Sequence, residues 1–162
     1  MPRGRELAAA ALRGALSGIG GVVVMTVGEE VERAVTHRPS SFVPGRTLRT
    51  LTGRPSGDGF RSNVWNHAMH WGTGAVLGAL RGIWAVTGIR GPSAHLHSAA
   101  VRLAFDQTLE NATGAGAPPT TWPRRELAVD VLHKTVYAVV TGIIADRLIR
   151  PVLESRRGAV SH

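Results

Sequence analysis

Six side chains have the types and spacings that could do chemistry: Glu30, His67, His70, Glu110, Asp130 and His133. Carboxylate and imidazole together suit iron, manganese or zinc. Di-iron and di-manganese bundles take a Glu from each of two helices and a Glu-x-x-His pair from each of two others. Here Glu30 and Glu110 would supply the single carboxylates, and Asp130-x-x-His133 one acid–histidine pair. His67-x-x-His70 departs from that pattern, with histidine where a carboxylate belongs. Glu29 and Asp106 complete the polar set. The same residues fit two other readings. Plain interfacial polarity is one, because helix ends that meet water and headgroups tolerate charge. A proton or ion path is the other, since histidine titrates near neutrality and a neighbouring carboxylate raises its pKa. In that reading Arg81 and Arg147 are counter-charges deeper in the protein. Their alternative is to snorkel to the opposite boundary.

Other reactive patterns are missing. The chain has no cysteine, which excludes disulfides, thiolate metal sites and cysteine nucleophiles. No glycine loop runs into Gly-Lys-Ser or Gly-Lys-Thr, and no serine sits in a nucleophile elbow. The GxGxxxG run at Gly72–Gly78 lies within an apolar stretch, so helix packing explains it better than a phosphate loop.

The elements that must position these residues follow from hydropathy and charge. A length of 162 residues fits one domain, 1–162. The net charge is +8 and all but one of the 19 cationic side chains are arginine. A nucleic-acid binder clusters such residues with exposed aromatics or on one helix. Here they crowd beside apolar runs, from Arg33 to Arg61 and again from Arg147 to Arg157, which is how membrane proteins flank their spans. That distribution argues against nucleic acid and for anionic headgroups.

Four segments are expected to span. Leu7–Val27 carries one charge, Arg13, and its length matches a bilayer core of about 30 Å. Trp71–Ile89 also carries one charge, Arg81. Ala94–Leu109 is the most polar, and would insert only with its polar face against other helices. Val129–Ile149 is the fourth. Glycines recur four residues apart at Gly14 and Gly18, and at Gly74, Gly78 and Gly82. That spacing lets helix backbones approach closely in lipid. In a soluble helix each glycine would cost about 1 kcal/mol against alanine.

The chain also shows a degenerate internal likeness. "PSSF" at Pro39–Phe42 matches "PTTW" at Pro119–Trp122, eighty residues on, and Glu30 falls on Glu110. At a shift of sixty-six, His67 falls on His133, Trp71 on Tyr137 and Arg81 on Arg147. Two similar hairpins, in halves 1–89 and 90–153, would put the acids and imidazoles at one end of a bundle. The stretch Arg38–Phe60, rich in Pro, Gly and Arg, is expected to be a surface connector.

The segments "GALSGIGGVVVMTVGEEVE", "HAMHWGTGAVLGALRG" and "HKTVYAVVTGIIADRL" resemble the YagU-like small inner-membrane proteins. The resemblance covers most of the apolar parts. It departs at Ala138, where a glycine would follow the aromatic. It implies an integral membrane protein without a defined activity. The expectation is therefore an all-α, polytopic four-helix bundle in the cell (inner or plasma) membrane. Its expected role is non-catalytic, as an accessory subunit beside other membrane subunits or further copies of itself.

Overall fold

A computed structural model describes residues 2–154. Among them all regular structure is helical: α1 Pro2–Thr36, α2 Val43–Leu51, α3 Asn63–Val86, α4 Gly91–Ala112 and α5 Arg124–Leu148, with a 3-10 turn at Pro119–Thr121. Stop signals in the sequence explain the helix ends. α3 closes on Gly88 (φ 96°), and the Ile89 amide donates back to the Trp84 carbonyl at 2.9 Å. α4 closes the same way on Gly114 (φ 67°), with the Ala115 amide on the Glu110 carbonyl at 3.0 Å. Both are left-handed caps that a Cβ would disfavour. α4 then restarts two residues after Ile89, with Pro92 in its first turn, where a missing N–H costs nothing.

The four long helices run alternately up and down. Gly14 meets Gly82 and Gly18 meets Gly74, so α1 and α3 are antiparallel. Gly20 meets Ile144 and Gly28 faces His133, so α5 is antiparallel to α1 too. His95 against Gly142, and Asp106 against Lys134, set α4 antiparallel to α5. α1 packs extensively on α3 and α5, whereas α4 packs chiefly on α5. If a two-fold axis exchanged the two halves, α3 would pack on α4 as closely as α1 packs on α5. No comparable α3–α4 contact is formed.

The glycine row explains how close α1 and α3 come. A Cβ on Gly14, Gly18, Gly78 or Gly82 would lie within 3 Å of the other helix's backbone, and one on Gly74 would strike Val22. All five glycines are thus used inside the chain. Two small apolar clusters flank the row: Ala10, Ala85, Val86, Ala145 and Ile149 toward one end, and Val22, Met25, Ala99, Tyr137 and Ala138 toward the other.

The connector differs from the sequence expectation. Within Arg38–Phe60 the chain forms α2, which lies across the first turn of α3. Gly45 permits this: its amide donates to Asn66 Oδ1 at 3.1 Å, and a Cβ there would sit 3.0 Å from the Asn66 nitrogen. The second half has no such helix. Pro39–Phe42 leads into α2, while Pro119–Thr121 forms a turn that leads straight into α5.

Two helices among the described residues are long and apolar enough to cross a membrane, α1 and α5. α3 and α4 have the length, 24 and 22 residues. Unlike α1 and α5, they do not meet the same measure of apolarity.

Candidate functional site

One end of the helical packing holds a polar chamber of about 680 Å³. Four helix ends build it, because up-down topology brings the C-terminal turns of α1 and α4 beside the N-terminal turns of α3 and α5. α1 contributes Met25, Glu29 and Arg33; α3 contributes Asn66, Met69, His70 and Thr73. α4 contributes Arg102, Asp106 and Glu110; α5 contributes Glu126, Asp130, His133 and Lys134. α2 and the turn before α5 roof it with Val43, Pro44, Arg46 and Trp122.

The deep wall is a charge ladder between α4 and α5. Arg102 is 3% exposed, and its Nε donates to Asp106 Oδ2 at 2.9 Å. Lys134 Nζ donates to Asp130 Oδ2 at 2.8 Å and lies 3.4 Å from Asp106 Oδ2. The Arg102 guanidinium lies 4.6 Å from the Tyr137 ring centre, and the Tyr137 hydroxyl donates to the Gly74 carbonyl at 2.7 Å. Arg102–Asp106 and Asp130–Lys134 each sit four residues apart on one helix face, and the Lys134–Asp106 contact joins α5 to α4. On the other wall, His70 Nε2 meets Thr26 Oγ1 at 3.0 Å. Burial, reinforced by the Arg102 charge, pushes His70 down to about 4, so this ring is neutral at physiological pH. Burial pushes the Glu110 carboxyl up to about 7, against the pull of Lys134.

The six candidate ligands are only partly gathered. His70, Glu110, Asp130 and His133 line the chamber. Glu30 is exposed on the outer side of α1 and pairs with Arg33, and His67 is exposed at the start of α3. A spacing of three sets His67 and His70 about 60° apart around the helix axis, and only His70 falls on the chamber side. Asp130 is held by Lys134. Among the described residues no group of three or more His, Asp or Glu side chains stands close enough to hold a metal ion. The metal site expected from sequence is therefore not assembled by these residues.

Arg81 and Arg147 also part company. Arg81 is buried, 1% exposed, and its Nη2 donates to Asp146 Oδ1 at 2.7 Å. Asp146 Oδ2 accepts the Gly91 amide at 3.0 Å, and Arg90 Nη1 donates to the Ile149 carbonyl at 2.5 Å. This clasp ties α3, the start of α4 and the end of α5 together at the end opposite the chamber. Arg147 is exposed and is not a counter-charge among the packed helices. The repeat alignment placed Arg81 on Arg147, but the partner of Arg81 is the neighbouring Asp146.

Sequence reasoning passed over Lys134, Thr26, Asn66, Trp122 and Asp146. A signal existed for the first: Lys134 follows Asp130 by four, as Asp106 follows Arg102. Comparison with protein-family models, with curated proteins and with solved structures finds no match. The likeness to YagU-like proteins accordingly rests on the three quoted segments.

Proposed function

We propose that this chain is a small multi-pass integral protein of the cell (inner or plasma) membrane, with a non-catalytic role centred on the chamber at one bilayer boundary. The observation that carries this reading is an inside-out distribution of side chains. Large apolar residues stand exposed on every long helix: Leu12, Leu16 and Val27 on α1, Val76 on α3, Leu96 on α4, Leu132 on α5. The buried set includes Arg81, Arg102, Asp106, His133 and Lys134. A water-soluble domain rarely buries that many ionisable groups while leaving its large aliphatics outside. In lipid the pattern is economical, because polar groups find partners within the bundle and the outer face needs none. The arginines of both ends then meet anionic headgroups.

Passage of a proton or cation through the bundle is disfavoured by two fixed guanidiniums. Arg102 lines the deep wall of the chamber and Arg81 lies near the far end, and buried cations of this kind repel cation flow. The chamber is better read as a closed-ended pocket.

The accessory-subunit reading is favoured by one observation. The exposed ridge of α1 continues past Glu29 and Glu30 through Val31 and Val35, 60% and 75% exposed. An apolar ridge beyond the acidic boundary suits a helix of another subunit or a second copy.

The test is extraction. The protein should sediment with membranes after an alkaline carbonate wash and enter solution only with detergent. A chain that stays monodisperse in plain buffer would contradict the bilayer reading. Co-purification of a stoichiometric partner, lost on Val31→Ser/Val35→Ser, would support the subunit role.

A further inference from the structure

The deep wall of the chamber holds a cation whose donors are not all answered. Arg102 is 3% exposed and lines the chamber from α4. A guanidinium carries five N–H donors in a fixed fork. Among the described residues only the Arg102 Nε is matched, by Asp106 Oδ2 at 2.9 Å. Nη1 is sealed in the wall with no acceptor. Nη2 has no acceptor among the described residues either, yet it is not sealed, so it opens onto the chamber. The Tyr137 ring, 4.6 Å from the guanidinium, answers charge but offers no lone pair to an N–H. Buried polar groups are normally paired, and a buried donor left over marks what a ligand would supply.

Unmet donors call for an anion rich in acceptors, and the mouth of the chamber agrees with its floor. Arg46, on α2, also lines the space, and its Nε is buried without a partner. Asp58 and Glu30, the carboxylates that Arg46 and Arg33 hold, are exposed, and ion pairs of that kind contribute little and exchange readily. The acids of the lining do not close the space to an anion. Asp106 and Asp130 are held by Arg102 and Lys134. Burial raises the Glu29 and Glu110 carboxyls above the usual carboxylate range, so both are readily neutralised. The arginine fork matches phosphate oxygens, and charge-assisted bonds of this kind are about twice as strong as neutral ones. A bare phosphate would leave most of about 680 Å³ empty, whereas Met25, Met69 and Trp122 offer an organic body apolar and aromatic wall. We propose that the chamber binds an organic phosphate, its phosphate on the free edge of the Arg102 guanidinium and its body toward the mouth, where Arg46 is a second donor.

Two sources carry this chemistry, a free phosphate ester and the headgroup of an anionic lipid. The second rests on the membrane reading above, and α3 and α4, which pack little on each other, leave a seam for its tail. The test uses the full chain in nanodiscs of phosphatidylcholine, titrated by calorimetry with glycerol 3-phosphate. The expected result is saturable 1:1 binding that weakens at least tenfold in Arg102→Gln and by a smaller factor in Arg46→Gln. Arg54→Gln, on the exposed connector, and Arg147→Gln, at the opposite end, should leave it unchanged. Uncharged glycerol should not bind. If Arg102→Gln fails to fold, Arg46→Gln and the comparison of ester with glycerol on the unmodified chain decide. No binding, equal binding of glycerol, binding indifferent to Arg102 and Arg46, or a loss as large in Arg54→Gln overturns the inference. Phosphatidylglycerol in the discs is then compared with oleate at equal charge. Competition by the phospholipid alone assigns the headgroup, and no difference between the two assigns the free ester. A protein that partitions with membranes yet binds no phosphate ester loses this inference and keeps the bilayer reading. If detergent proves unnecessary, the same titration runs in buffer.

Discussion

Gly18 and Gly72 belong to the same kind of helix yet face opposite fates on substitution by alanine. A Cβ on Gly18 would stand 2.2 Å from the Gly74 carbonyl oxygen and 2.9 Å from the Gly78 Cα, and neither backbone atom can step aside. Gly18→Ala should therefore lower stability by about 1–3 kcal/mol through overpacking. Gly72 has nothing within 4 Å, so Gly72→Ala should raise stability by up to about 1 kcal/mol through helix propensity. Thermal melts of the two variants in one detergent check the pair, and equal shifts would contradict the close α1–α3 approach. The two perturbed groups of the chamber make a pH prediction. Glu110 has its folded pKa raised from 4.5 to about 7, so its ionisation favours the unfolded chain. Its contribution is fully present below pH 4.5 and is lost as pH rises through about 7. Glu110→Gln should gain on the parent progressively between those pH values and stay ahead above them. His70 has the opposite sign. Its folded pKa is lowered from 6.5 to about 4, so its contribution is present above pH 6.5 and is lost as pH falls through about 4. Melting temperatures from pH 4 to pH 8 read both slopes.

At the scale of elements, the clasp at the far end is the most demanding arrangement in the molecule. Arg81 keeps its side chain wholly out of solvent because Asp146 answers its charge. Asp146→Ala should strand that guanidinium and cost about 3–5 kcal/mol, as breaking buried pairs does. Arg81→Met/Asp146→Asn removes the charge from both partners while keeping an acceptor for the Gly91 amide, and should recover most of the loss. Urea or thermal unfolding of the single and double variants checks this, and a single variant as stable as the parent would mean the pair contributes little. The elements themselves were unevenly legible. Apolar runs and glycine spacing point to four long helices, because both depend on local pattern. The helix α2 escaped because Arg38–Phe60 has the composition of a connector. Only Gly45 and Thr47, buried against the start of α3, betray that nine of its residues fold back. Burial against a distant helix leaves no local pattern in so short a segment. The six metal candidates are only partly gathered for a related reason. A spacing of three places two residues near one face of a helix but does not say which face meets the interior. Glu30 and His67 ended outside, with Glu29 and His70 inside, one and three residues away.

For the whole molecule, the up-down topology makes a claim that labelling can decide. The turn α2–α3 and the turn after α4 lie at the chamber end, and the α3–α4 turn lies at the clasp end. The chain has no cysteine, so single cysteines can be introduced without background. Asp58 and Asn111 are exposed at the chamber end, and Thr87 is exposed at the other. In intact membrane vesicles, Asp58→Cys and Asn111→Cys should react with an impermeant maleimide from the same side, and Thr87→Cys only from the other. The result bears on function as well as on fold. Eight arginines, from Arg33 to Arg125, belong to the chamber-end connectors and the helix turns beside them. The clasp end and the termini carry a similar number, so charge counting leaves the orientation balanced. The arginine-rich first connector is expected on the cytoplasmic side, which would give the chamber a cytoplasmic mouth. Labelling of Asp58→Cys in inside-out but not right-side-out vesicles would establish that, and the reverse would open the chamber outward. Labelling of all three positions from one side would contradict the crossing of α3 and α4 between the chamber end and the clasp end.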